Sequence, residues 1–157
     1  LYGEPIPPPI AGGMSLKPVP VAPETKRDLP VYAAAEGGGG IMLISQNAIE
    51  YTYRSETSRG AECFAVHVVG ASMEPAFFQG EQVVVDPRRV PAAGDDCVFA
   101  AEEQSGEWRA SIKRLLRVAP DRWRVRQYNP AKDFDLLRSE WGKAFKIIEK
   151  KVPLTCR

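Results

Sequence analysis

Val68-Val69-Gly70-Ala71-Ser72-Met73-Glu74-Pro75 interrupts an apolar run in the middle of this chain. Residues 64–69 read as a buried strand, because β-branched and aromatic side chains suit a pleated interior. Gly70 ends that strand, and Ser72 follows on a turn that Pro75 helps to fix. Forty-one residues on (113 − 72), Lys113 sits in a second strand pattern, Ala110-Ser111-Ile112-Lys113-Arg114-Leu115. A serine on a tight turn and a lysine on an apolar strand are the two parts of a hydrolytic dyad. The serine hydroxyl is a weak nucleophile and needs a base within hydrogen-bond reach. A lysine, with an ordinary pKa near 10.4, is charged at neutral pH unless burial disfavours the ammonium. Flanking by Ile112 and Leu115 favours that burial. Backbone N–H groups at Ser72 and Met73 are the candidate oxyanion donors, since a turn can aim them at a tetrahedral intermediate.

Outward from this core the punctuation is all-β. Short strand patterns fall at 41–45, 49–54, 82–86, 97–101, 109–117, 121–128, 134–137 and 145–150. One helical turn fits 74–78. No long amphipathic helix and no repeat is evident, so the expected fold is mostly β, twisted and partly closed. With 157 residues, 44% of them hydrophobic, the chain has the size of one core. A formal charge of +1 gives no global argument for nucleic acid or an acidic partner. No apolar run spans a bilayer and no signal-peptide pattern opens the chain. Cys63, Cys97 and Cys156 are odd in number and lack metal-ligand spacing, which reads as reduced thiols in a cytoplasmic protein with no metal or cofactor.

Residues 1–30 hold eight of the fourteen prolines and read as a Pro-rich linker or arm, with an unstructured tail as the alternative. Residues 31–157 then form the main domain. Position 1 is leucine, so a fragment of a longer protein is expected. Residues 31–40, Val-Tyr-Ala-Ala-Ala-Glu-Gly-Gly-Gly-Gly, read as a flexible glycine-rich loop.

Gly-x-Ser-Met-Glu-Pro, followed by a strand with Ile-Lys-Arg-Leu, resembles the self-cleaving family of LexA, UmuD and phage repressors. Leu29-Pro30-Val31-Tyr32 is similar to the segment leading into the cleavage loop of the phage type, so the likeness covers residues 29–152. The resemblance implies Ser72 as nucleophile and Lys113 as base. It implies a cleavage loop at 33–40, with Glu36-Gly37 as the bond and Ala35-Glu36 or Gly37-Gly38 as neighbours. Glu36 departs from the small residues usual there, and desolvating its carboxylate is costly, so cutting is expected to be slow or lost. A literal Ala11-Gly12 lies too far upstream. The family also implies a homodimer through the C-terminal region and a RecA-type activator. DNA binding would come through a helix-turn-helix domain absent from this chain. Residues 143–152 are amphipathic and read as an edge strand that pairs with its symmetry mate.

Other readings stay open at this stage. They are a dimerisation module that does not cut itself, a UmuD-like polymerase accessory, and a signal peptidase-type protease. His67 lies five residues before Ser72 on the same strand, a poor position for a base, so a serine–histidine triad is disfavoured. Seven basic residues between 109 and 126 suggest either a docking face or, more simply, a solvated sheet face. Arg114 alternates with Lys113 and should face away from it, paired with an acid. Met73 and Pro75 shape the turn, and Trp108, Trp123 and Trp141 are core or interface aromatics.

Overall fold

A computed structural model describes residues 26–153. Most of the Pro-rich arm, and Cys156, lie outside these residues. Nine strands follow in chain order: β1 (Leu29–Gly38), β2 (Ile41–Thr52), β3 (Phe64–His67), β4 (Gln82–Asp86), β5 (Asp96–Glu102), β6 (Trp108–Val118), β7 (Arg122–Tyr128), β8 (Ala131–Leu137) and β9 (Lys143–Lys151). A single 3-10 turn, Glu56–Ser58, is the one helical element among the described residues. The strands form one sheet in the order β2-β1-β3-β4-β9-β5-β6-β7-β8. A further antiparallel pairing of β2 with β6 closes seven of them into a ring, and the β7–β8 hairpin projects from β6.

The sequence pattern explains the closure. Met42, Ile44, Val66, Val83, Val85, Val98, Ala100, Ala110 and Ile112 form one buried cluster, drawn from strands right round the ring. Alternation along each strand puts these side chains on one face, and closing the sheet buries that face against itself. On the opposite face of β5 and β6, Cys97, Phe99 and Leu115 pack against Trp123, Val125, Leu136 and Trp141. Phe99 meets Trp123 with ring centroids 5.2 Å apart.

Four expectations change. The patterns at 41–45 and 49–54 belong to one continuous strand, β2. Strand β3 stops at His67, two residues short of the expected end. Residues 31–40 are not a loose loop. Leu29 and Val31 are fully buried, and β1 pairs with β2 on one side and with β3 on the other. The glycine run serves a tight hairpin, because Gly38, Gly39 and Gly40 have φ of +86°, +61° and +78°. Side chains rarely adopt three such values in succession. Lastly, β9 is not an edge strand. Its first half pairs with β5 and its second half with β4, so it bridges the two halves of the ring.

Five of the seven basic residues at 109–126 pair with nearby acids, Arg109 with Glu103 among them. Arg124 and Arg126 stand opposite Asp135 and Asp133 in the β7–β8 register and pair with them, while Arg122 reaches both Asp121 and Asp135. Arg114 pairs with Asp96.

Phe99→Ala removes a fully buried ring shared by β5 and the β7–β8 hairpin. It should cost about 3–5 kcal/mol in urea unfolding. A loss below about 1 kcal/mol would place Phe99 outside a packed core.

Candidate functional site

Lys113 occupies the middle of β6, where the pairing with β2 stops at Ala110 and the pairing with β7 starts at Arg114. Opposed residues of an antiparallel ladder share a face. Lys113 stands opposite Cys97, so its stem lies on the apolar side occupied by Phe99 and Leu115. The residue is 1% exposed. Desolvation, helped by the nearby charge of Lys132, lowers its pKa from 10.5 to about 8. Its Nζ donates to the carbonyl of Ile112 at 3.0 Å and lies 3.3 Å from Ser72 Oγ.

Ser72 sits on the turn expected for it. Glu74 N–H donates to the Ala71 carbonyl, and Ala76 and Phe77 N–H groups donate to Met73 O, which makes one helical turn and no more. Met73 and Phe77 are buried in the ring's interior and anchor that turn. From the other side, the amides of Tyr128 and Asn129 both donate to the Ser72 carbonyl, and Asn129 Nδ2 donates to Ala71 O at 3.1 Å. Gly70, at φ +86°, donates to Gln79 Oε1. The Ser72 turn is therefore held at both ends, by the core and by the β7–β8 turn.

The structure thus brings Ser72 and Lys113 together. His67 lies 3.5 Å from Glu50 instead, as a partly buried surface pair. The suspected loop residues are in the hairpin: Ala35 stands opposite Leu43, Glu36 opposite Met42 and Gly38 opposite Ile41. A cleft of about 450 Å3 runs beside the dyad, lined among others by Glu36, Gly39, Gly40, Ser72, Gln127 and Lys132. A second hollow, about 380 Å3, is lined by Tyr32, Phe64, Trp108 and Phe145 and contains neither dyad residue.

Ser111 and Gln127 escaped the sequence reading, and Gly40 lay in the expected 33–40 loop without being one of its suggested bonds. Gly40 reaches the dyad itself, and Ser111 Oγ donates to the Gly40 carbonyl at 2.9 Å. Buried Gln127 flanks the same point. Ser111 had one readable signal, its position two residues before Lys113 and so on the same strand face.

A closed all-β ring with a buried strand lysine against a turn serine defines a protein with a serine–lysine constellation. The Peptidase S24-like family model matches residues 30–150, and the chain belongs to that family. It is 29% identical over 132 residues to "Repressor protein C" of Rhizobium phage 16-3, covering 80% of this chain and 50% of the relative. The chain thus spans about half the length of the curated relative it matches.

Burying Lys113 weighs on stability in a pH-dependent way. Its folded pKa lies below the unfolded one, so between about 8 and 10.5 the unfolded chain binds the extra proton. The penalty is fully present below pH 8 and disappears as pH rises to 10.5. Lys113→Met should therefore stabilise the protein by about 1–3 kcal/mol at pH 7, with the gain fading above pH 10, as urea titrations at the two pH values would show.

Proposed function

We propose that this chain is the dimerisation and self-cleavage domain of a phage-type transcriptional repressor, and that Ser72 attacks a bond of its own β1–β2 hairpin with Lys113 as base. The observation that carries the reading is the 3.3 Å contact between Ser72 Oγ and a lysine amine that is almost wholly buried. Burial supplies the neutral amine, and the turn supplies a hydroxyl with little freedom to leave it. Lys113 takes the serine proton as the hydroxyl attacks and returns it to the departing amide nitrogen. The amides of Ser72 and Met73 lie in the same turn and make none of its internal bonds among the described residues, which supports them as oxyanion donors.

The biological consequence follows from the repressor likeness. A helix-turn-helix segment outside this chain would bind the operator, and a homodimer through the C-terminal region would hold two such segments on two half-sites. Cutting the hairpin separates the halves, and the loss of linked binding releases the operator. A RecA-type filament would act as activator by favouring the arrangement in which the hairpin meets the dyad.

A second reading is a repressor dimerisation domain that does not cut itself. The register of Ala35 and Glu36 with Leu43 and Met42 favours it, because a backbone held in a ladder is a poor substrate. Sedimentation beside a cleavage assay separates the two readings. A stable dimer that stays whole at high pH supports the second.

Incubated without activator, the purified chain should cut itself at a rate that rises with pH and half-saturates near pH 8, since the base is the neutral amine. Ser72→Ala and Lys113→Ala should each slow this by at least about 100-fold, read as fragments on a gel. A flat pH profile, or an unaffected variant, would remove the dyad.

A further inference from the structure

We propose that the bond presented to Ser72 is Gly39-Gly40, at the tip of the β1–β2 hairpin, and not Glu36-Gly37. The inference rests on the self-cleavage reading and specifies its substrate. It starts from the space around Gly40. A methyl group placed on that residue would lie 3.3 Å from Lys113 Nζ, 3.4 Å from Ser72 Oγ and 3.5 Å from Gln127 Oε1. No other glycine of the run meets either dyad residue in this way. The added methyl would meet nothing within 4 Å at Gly38 or Gly39, and at Gly37 it would meet Ile41 and Leu43.

The choice between the two peptide bonds of Gly40 comes from Ser111. Its hydroxyl holds the Gly40 carbonyl at 2.9 Å, which commits that oxygen to β6. The peptide on the other side of the same α-carbon remains. Its nitrogen belongs to Gly40, the one residue of the run whose α-carbon faces Ser72 and Lys113, and Lys113 is the group available to return a proton to it. Both Gly39 and Gly40 line the cleft beside Ser72.

Glu36 is placed differently. Its backbone stands opposite Met42, and its carboxylate lies on the Gly70 side of the cleft, 3.8 Å from where a methyl on Gly70 would be. Bringing Glu36-Gly37 to Ser72 would mean sliding the hairpin by three residues, roughly 10 Å at strand spacing, and breaking its ladder. Gly40 needs no such slide. Its φ of +78° disfavours a side chain, and a methyl there would press on the lysine amine.

The reaction balances on groups already present and water. Ser72 Oγ bonds to the Gly39 carbonyl carbon while its proton passes to Lys113 Nζ. The Gly39–Gly40 C–N bond then breaks, and that proton moves to the Gly40 nitrogen. Water next adds to the ester carbon, giving one proton through Lys113 to Ser72 Oγ. The products are a Gly39 carboxyl group and a free Gly40 amine.

Intact mass and N-terminal sequencing of the wild-type chain, incubated at pH 10, test this. The expected fragments are 1–39 and 40–157, with Gly40 as the new N-terminus. A cut at Glu36-Gly37, or at any other bond, overturns the register and leaves the dyad reading standing. No cut at all overturns both. Gly40→Ala should cut at least tenfold more slowly while keeping the wild-type circular dichroism spectrum, and cutting at the wild-type rate would contradict the proposal. Should that variant fail to fold, the wild-type fragment map decides alone.

Discussion

An amine withdrawn from water is the constraint that the rest of this structure serves. Lys113 is 1% exposed, in the middle of a strand whose other face fills the ring. A buried ammonium is costly, and among the described residues its hydrogen-bond partners are two oxygens, Ile112 O and Ser72 Oγ. A neutral amine has two N–H bonds and one lone pair, which this environment accommodates better than three charged donors. Once neutral, Lys113 can accept the serine proton across the same 3.3 Å contact. Desolvation lowers its pKa to about 8, which favours that neutral form.

Ring closure places the β1–β2 hairpin beside this buried amine. Strand β6 pairs with β2 over Trp108 to Ala110 and with β7 from Arg114 onward. Lys113 therefore lies where one partner strand gives way to the other. The hairpin of β1 and β2 ends at that point, and the β7–β8 turn clamps the serine's backbone. The ion pairs of Arg124 and Arg126 with Asp135 and Asp133 join the two strands that carry this clamp. Exposed pairs of this kind are individually weak, so the hairpin relies mainly on Trp123, Val125 and Leu136 packing under it.

The pairing of Ser72 with Lys113 and the all-β class were legible because each had a local signature. Gly70 and Pro75 bracket the serine's turn, and Ile112 and Leu115 mark the lysine's strand as buried. The ring was less legible, because its closure by β2 and β6 joins residues 42 and 110, and no local pattern records that pairing. The same limit misplaced β9. Its alternating side chains suit an edge strand, and only the topology shows it paired with both β4 and β5. The glycine run was misread for another reason. Composition suggests freedom, whereas the fold uses three successive positive φ values to make one tight turn. Ser111 became a functional candidate, and Gly40 was set apart within the 33–40 segment, only when the hairpin was seen beside Ser72 and Lys113.

The most direct measurement is the titration of Lys113 itself, followed by NMR of its side-chain methylene carbon next to Nζ in Ser72→Ala, which lacks the serine hydroxyl. A midpoint near 8 is the expected result. A midpoint near 10.4, the value of a lysine in water, would contradict the burial argument and with it the base.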